Sequence, residues 1–305
     1  MNEVTDTGLK RASSDWTPVP WLAAVLSLLI TPLGLLYVQR PRLAAGYLGV
    51  VVAAAITSAL SMWAFGSEPL SELLSVVPLV IAITCAVHSF RLARRQLPTS
   101  QRAWYSRWYG LVGIPAALFA VVFAVRAFLY EPFRIPSASM HPTIPAGSLV
   151  IIRKFGFGQY GTFGIQLWRR PATVSIARGD IVVHRSPSDP SVMHVRRVVG
   201  LPGDHVQYRD RQLVINEQPV PVRIVRDEGE YRYAIETLDG REITVAFMPG
   251  RPFKEFDQVL PPGEYALFGD SRDNARDSRF GGLTRQDDIV GRVENVFPAR
   301  TSRSP

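Results

Sequence analysis

The hydrophobic pattern divides the chain near Tyr130, with long apolar runs before it and short alternating runs broken by turns and charges after it. Four apolar segments stand out in the first part: Pro20–Val38, Ala44–Phe65, Leu73–Phe90 and Leu111–Tyr130. Each is near the ~20 residues that a helix needs to cross a hydrocarbon core. The pattern therefore predicts a polar leader over 1–19 and a multi-span region of about four helices over 20–130. Pro32 and Gly34 interrupt the first segment, so a re-entrant hairpin stands beside a full span there. The length of the polar leader and the apolar runs that follow argue against a cleaved targeting segment.

The connections carry an orientation signal. Arg40 and Arg42 follow the first segment, and Arg91, Arg94, Arg95, Arg102 and Arg107 follow the third, whereas the connection around Glu68 and Glu72 has no basic residue. Basic loops remain in the cytoplasm, so the fourth helix is expected to run outward and to deliver everything from Glu131 onward to the external face. Arg126, near that outer end, can snorkel to the headgroups. A channel or transporter bundle would call for paired ionisable groups inside the spans, and His88 alone does not meet that need.

Beyond Pro132 the runs Ser148–Arg153, Asp180–His184, Val192–Val199 and Gln212–Asn216 read as strands, as do Tyr233–Leu238 and Arg241–Phe247. Asp239-Gly240 between the last two is a strong two-residue hairpin signal. With no long helical period in sight, an all-β domain is expected over 131–298, with a β-rich insertion near 205–260. The polar segment 299–305 is expected to be disordered.

Composition changes this picture little. The 305 residues carry a net charge of +8, and the cations are almost all arginine, with Lys10, Lys154 and Lys254 the only lysines. Such a skew reads as coding bias more than as function. The basic balance is accounted for by the loops between apolar segments, so no nucleic-acid partner is expected. The single cysteine, Cys85, excludes an internal disulfide and a cysteine-based metal site. Neither a metal nor another cofactor is expected.

The chemistry lies just past the last apolar run, in Glu131-Pro-Phe-Arg-Ile-Pro-Ser-Ala-Ser-Met-His-Pro-Thr143. Two serines in a proline-bounded loop at a membrane surface suggest a serine nucleophile acting on something the bilayer presents. Three further boxes follow in order: Arg178-Gly-Asp-Ile-Val-Val183, Arg196-Arg-Val-Val-Gly-Leu-Pro-Gly-Asp204, and Gly269-Asp-Ser-Arg-Asp-Asn-Ala-Arg-Asp-Ser-Arg279. Together, over roughly residues 130–295, the chain resembles the type I signal peptidases, membrane-anchored serine endopeptidases that remove signal peptides from exported proteins.

The resemblance implies a signal-peptidase-like β fold for the extracytoplasmic catalytic domain, on the outer face of the cytoplasmic membrane. Its implied partners are the signal peptides of exported preproteins, the lipid bilayer and the secretion machinery. It makes Ser139 the nucleophile and gives the oxyanion to the Ser137 hydroxyl and the Ser139 backbone N–H. It implies a substrate strand beside Phe133–Ser137, pockets lined by Ile135 and Val195, and supporting roles for Asp277 and Arg279.

The base departs from the family pattern. The family's lysine is replaced by Arg196, and the serine that orients that lysine by Ala275. A guanidinium offers no acceptor, so Arg196 cannot take the serine proton. His194, two residues before it on the same strand face, is the candidate substitute base. The alternative is that His194 only fills the polar or aromatic position expected there, with Arg196 acting electrostatically. His141, His184 and His205 read as surface or turn residues, and Lys154 matches a lysine common in the family. The joint loss of lysine and serine also leaves open a catalytically silent homologue that binds exported proteins.

Overall fold

The computed structural model describes residues 15–299 apart from 66, 67, 188, 190 and 191, with the backbone alone over 59–65 and 68–75. The leader up to residue 14 and the tail from residue 300 lie outside the described residues. The chain forms two compact units, Met1–Ala120 and Val121–Pro305.

In the first unit the helices are Pro20–Leu29, Leu33–Tyr37, Pro41–Phe65, Glu68–Arg95 and the start of Trp108–Ala124. The expectation of about four spanning helices is corrected at the first segment, which is two short helices of 10 and 5 residues. Pro32 lacks the N–H that would continue the first of them. A Cβ at Gly34 would lie 2.0 Å from the Ala23 carbonyl oxygen and 2.2 Å from Ser27 Oγ, so the second folds tightly back onto the first. Ser27 Oγ in turn lies 3.0 Å from Ser89 Oγ on Glu68–Arg95.

Three helical stretches among the described residues are long and apolar enough to cross a membrane: Pro41–Ser58, Val76–Arg95 and Trp108–Leu129. The connection expected around Glu68 and Glu72 is already helical from Glu68. The basic connection after Arg95 is ordered by stacking of the Arg102 guanidinium over Trp16 at 4.3 Å and Tyr37 at 5.5 Å.

The second unit takes in the last turn of the helix Trp108–Ala124 and a single wide turn, Val125–Leu129, and is otherwise mostly strand. Its main sheet has seven strands in the order Tyr130–Arg134, Leu149–Arg153, Ile289–Phe297, Ile181–Arg185, Met193–Gly200, Glu264–Phe268 and Thr284–Arg285. Tyr130–Arg134 is therefore an edge strand. Apolar clusters cover both faces of this sheet. One gathers Ile135, Met140, Ile144, Val183 and Val195, and another Phe157, Val182, Val198 and Leu267. The alternation of Val182 and Val183 between them is the two-residue period of a strand buried on both sides.

The insertion supplies a three-stranded sheet, Val222–Glu228, Tyr231–Leu238 and Arg241–Phe247, and a four-stranded one. The latter runs in the order Phe256–Val259, His205–Arg209, Gln212–Ile215, Gln218–Pro219. At the anticipated hairpin, Asp239 and Gly240 have φ of 47° and 76°, the pair of positive values a type I′ turn requires. A separate hairpin, Gln159–Thr162 with Ile165–Arg169, packs on Val125–Leu129.

Buried arginines tie the insertion to the main sheet. Arg272, 1% exposed, donates from both terminal nitrogens to Glu236, 0% exposed, at 2.6 Å each. Arg178 reaches Asp204 at 2.9 Å, Asp239 at 3.0 Å and the Val199 carbonyl at 2.7 Å. Forked pairing of this kind satisfies a desolvated carboxylate with two parallel donors. Cutting one partner out leaves a buried charge without a counter-charge. Glu236→Ala is therefore expected to destabilise the second unit by about 3–5 kcal/mol, read as a shifted denaturation midpoint by near-ultraviolet circular dichroism in detergent.

Candidate active site

The serine loop leaves the edge strand at Ile135, whose N–H donates to the Ser148 carbonyl at 2.9 Å and whose carbonyl accepts from Gly147 N at 2.6 Å. Met140, fully buried, and Ile144 then anchor the loop in the apolar cluster beneath it. The result is that Ser137 is exposed while Ser139 is 6% exposed. Their hydroxyl oxygens lie 3.1 Å apart.

The loop is clamped from the other side by the Gly269–Arg279 box. The Ser271 N–H donates to the Ser139 carbonyl at 3.1 Å. A Cβ at Gly269 would lie 2.6 Å from that carbonyl oxygen and 2.3 Å from the Ala275 methyl, so only glycine allows this approach. Asp277 accepts from the Gly269 N–H at 2.9 Å and from Arg279 Nε and Nη2 at 2.8 and 2.6 Å. Arg279 Nη2 also donates to the Arg272 carbonyl at 2.6 Å. Asp277 and Arg279 thus hold the box in shape from below the serine.

Arg196 arrives on the central strand Met193–Gly200 and is 5% exposed. Its Nη1 donates to Ser139 Oγ at 2.9 Å and to the Val195 carbonyl at 2.6 Å, and its Nη2 donates to the Arg276 carbonyl at 2.7 Å. Burial pulls the guanidinium below its ordinary value, with Asp277 pushing it back up, and a guanidinium remains protonated in proteins. The arrangement puts a positive donor on the serine oxygen. It can stabilise negative charge there but has no lone pair to accept the proton.

His194 shares the strand face with Arg196, and in the register it sits opposite His184. The two imidazoles are 5.9 Å apart, centroid to centroid. No hydrogen bond joins His194 to Ser139 among the described residues. Burial, then Arg196 and Arg276, push its imidazole below the ordinary value, so it is neutral near pH 7. The surface reading of His184 is corrected: it is 4% exposed, because its strand is covered on both faces. Its Nδ1 donates to the Arg185 carbonyl at 2.9 Å, while Nε2 is buried with no partner among the described residues. Burial and Arg196 push it down to about 3.

The other candidates lie elsewhere. His141 holds the serine loop to the insertion, with Nε2 2.9 Å from the Tyr233 hydroxyl. His205 sits between Glu217 at 2.9 Å and Asp257 at 2.7 Å on the insertion surface. Lys154 is 2% exposed and paired with Glu131 at 2.8 Å, a structural tie and not a base near Ser139. Phe133, Ile135 and Val195 come together in one apolar cluster beside the serine loop. Sequence reasoning missed the place of His184 beside Arg196. The turn residues Ser186, Pro187, Asp189 and Pro190 announce a hairpin between its strand and Val192–Val199, but the register that sets His184 opposite His194 comes from the pairing itself.

The family described as "Signal peptidase, peptidase S26" matches residues 107–297, well over half of the chain, and the chain belongs to that family. Signal peptidase I of Pseudomonas fluorescens is 34% identical over 198 residues, covering 58% of this chain and 68% of that protein. Signal peptidase I of Pseudomonas aeruginosa is 36% identical over 171 residues, 52% of this chain and 58% of that one. Signal peptidase IB of Staphylococcus aureus is 32% identical over 187 residues, 60% of this chain and 85% of that one. The helices before residue 107 lie outside the family match.

A buried histidine held neutral links stability to pH. The folded values of His184 and His194 lie below the unfolded value of about 6.5, so their contribution is fully present above that pH. It is lost as pH falls from there toward about 3, the folded value of His184. Melting temperature against pH is expected to decline over this window, and His184→Leu to flatten the decline.

Proposed function

We propose that the chain is an active membrane-bound serine endopeptidase of the signal peptidase I type, which removes signal peptides from exported preproteins. The observation that carries it is the Ser139 hydroxyl held between Ser137 Oγ and Arg196 Nη1, at 3.1 and 2.9 Å, inside the family's boxes. The basic connections put Arg40, Arg42 and the Arg91–Arg107 loop on the cytoplasmic side. Three spans, beginning with Pro41–Phe65, then leave the β unit on the extracytoplasmic face.

The substrate adds as a strand beside Phe133–Ser137. Since Ile135 points its backbone into the sheet, Arg134 and Pro136 point theirs outward. Pro136 and Pro132 have no N–H to offer, which leaves Arg134 as the main outward donor and guards the edge against unspecific pairing. Small side chains enter the pockets lined by Ile135 and Val195.

Ser139 Oγ attacks the scissile carbonyl carbon, and the C–N bond breaks as the tetrahedral intermediate collapses to an acyl-enzyme. The oxyanion is held by the Ser139 N–H and the Ser137 hydroxyl. With Arg196 donating to Ser139 Oγ, the Ser139 proton is turned away from the guanidinium. Arg196 stabilises the developing alkoxide, and the proton passes to neutral His194, which has no hydrogen bond to Ser139 in the free protein and is brought within reach when substrate binds. The same proton goes to the leaving amine, and water then releases the acyl group by the reverse sequence. Asp277 and Arg279 keep the Gly269 box, and through it Ser139, in place.

The test is cleavage of a preprotein with small residues before the cleavage site, by the full chain in detergent. Ser139→Ala is expected to lower turnover by at least about a thousandfold, and undiminished cleavage would remove Ser139 from the mechanism. His194→Ala is expected to cost about a hundredfold to ten-thousandfold. Because His194 works when neutral and burial with Arg196 and Arg276 depresses its value, the acid limb of the activity profile should have its midpoint below the ordinary histidine value of about 6.5. A native chain that fails to cleave, while Arg196→Lys combined with Ala275→Ser does cleave, would give the silent, binding-only homologue the better claim.

A further inference from the structure

His184 is a polar side chain in a place where packing alone calls for an apolar one. The strand Ile181–Arg185 is covered on both faces, and His184 is 4% exposed. Its surroundings decide its tautomer. The Arg185 carbonyl, 2.9 Å from Nδ1, can only accept, so Nδ1 carries the proton. Thr284 Oγ1, 3.4 Å away, also faces Nδ1. Nε2 of the neutral ring is therefore a lone pair, and it is buried with no donor on it among the described residues. A buried acceptor left without a partner is uncommon and calls for one.

The donor placed to supply it is His194. Strand pairing sets the two residues directly opposite each other, close enough for their side chains to interact across one face of the sheet. The rings stand at 75° with centroids 5.9 Å apart. His184 is fixed by its Nδ1 contact, whereas His194 is only half-buried, so His194 is the ring that turns. A neutral imidazole has one N–H and one lone pair. Once Nε2 of His184 takes that N–H, the lone pair of His194 is confined to its other nitrogen. That nitrogen is left to face Arg196, which shares its side of the strand and holds Ser139 Oγ at 2.9 Å.

We propose that His184 is a positioning residue for the peptidase reaction: its Nε2 accepts the N–H of His194 and fixes the tautomer that takes the Ser139 proton. The inference rests on the reading of His194 as the base. The Ser139 O–H bond breaks as Oγ bonds to the scissile carbonyl carbon, and the proton waits on His194 until the departing amine takes it. Through that interval the imidazolium keeps its N–H on His184. Burial and Arg196 push His184 down to about 3, so it remains neutral and removes no proton from its neighbour. The charged groups that bear on His194 are Arg196 and Arg276, and both oppose the imidazolium. The His184 lone pair favours it.

The experiment measures preprotein cleavage by the full chain in detergent, with His184→Leu, His184→Gln and His194→Ala in parallel. Leucine removes the acceptor and keeps the core apolar, while glutamine returns an amide oxygen near the place of Nε2. His184→Leu is expected to keep its melting temperature near pH 7 and to lower kcat about tenfold to a hundredfold, with KM little changed. That is the usual loss when a metal-bound histidine is deprived of its orienting partner. The acid limb of kcat should move to lower pH, because the imidazolium has lost its acceptor. His184→Gln should restore most of both. A His184→Leu variant with native kcat overturns the proposal, as does a slow one whose acid limb stays in place and which glutamine does not rescue. Undiminished cleavage by His194→Ala removes the base and the proposal together. Nitrogen-15 histidine spectra of the Ser139→Ala chain, with uncleaved preprotein bound, separate the remaining cases. His194 is expected to show one tautomer there and a mixture once His184→Leu is added. Unchanged spectra overturn the contact whatever the cleavage, and a change of tautomer in a chain that does not cleave defeats the peptidase reading alone.

Discussion

The geometry around the Ser139 hydroxyl depends on how closely the serine loop can press against the chain at Gly269. The Ser139 carbonyl occupies space that any side chain at 269 would fill, 2.6 Å from the place of its Cβ. That approach lets the Ser271 N–H take the carbonyl, which turns the Ser139 side chain toward the central strand and brings Arg196 onto it. The Gly269 loop is in turn held from beneath by Asp277 on the Gly269 N–H and by the Arg279 fork on Asp277. A chain of short polar contacts thus runs from a small C-terminal helix to the serine, with one missing Cβ at its centre.

The joint appearance of Arg196 and Ala275 has a physical logic. A lysine ammonium is a compact point charge on a flexible stem and needs a partner to aim it. The guanidinium is aimed by its own planar fork, with one nitrogen on the Val195 carbonyl and the other on the Arg276 carbonyl, the residue next to Ala275. A hydroxyl at 275 then has nothing left to orient. The methyl that stands there instead lines the tight approach at Gly269, 2.3 Å from the place of a Cβ at that position.

Much of the fold was legible from the pattern: the change of character near Tyr130, the strands 149–153, 181–185 and 193–200, and the Asp239-Gly240 hairpin. What escaped has identifiable causes. Phe163-Gly164 does not look like a turn because its first residue is the wrong type for one, so the hairpin it closes was invisible. The long strand Ile289–Phe297 carries Gly291, Arg292, Glu294 and Asn295, and its identity comes from pairing with two neighbours, which pattern does not report. The break at Pro32 was visible, but its depth is set by contact of Gly34 with Ala23 and Ser27. The abundance of arginine read as coding bias, whereas Arg178, Arg197, Arg272 and Arg279 are each buried on a carboxylate. Their partners lie far off in sequence, except for Asp277 two residues before Arg279. In the candidate site, Ser137, Ser139 and Arg196 were readable from motif order, while the neighbourhood of His184 was not.

These buried arginines bear on the electrostatics of the serine. Arg196 keeps its charge at any pH the enzyme meets, and Asp270 is already bound by Arg197 through two contacts of 2.8 and 2.6 Å. Asp277 is similarly committed to Arg279. Among the described residues, the positive end of Arg196 that faces Ser139 Oγ therefore has no carboxylate hydrogen-bonded to it. A lysine-based site must lose a proton to work, and its activity rises as that amine is neutralised. Here the cation is permanent, and the groups that respond to pH are the two imidazoles beside it, both driven toward the neutral form by burial and by Arg196 itself. In the mechanism proposed above, the permanent Arg196 cation favours the serine alkoxide, and by opposing a second positive charge it leaves the neighbouring imidazoles neutral but weaker as bases.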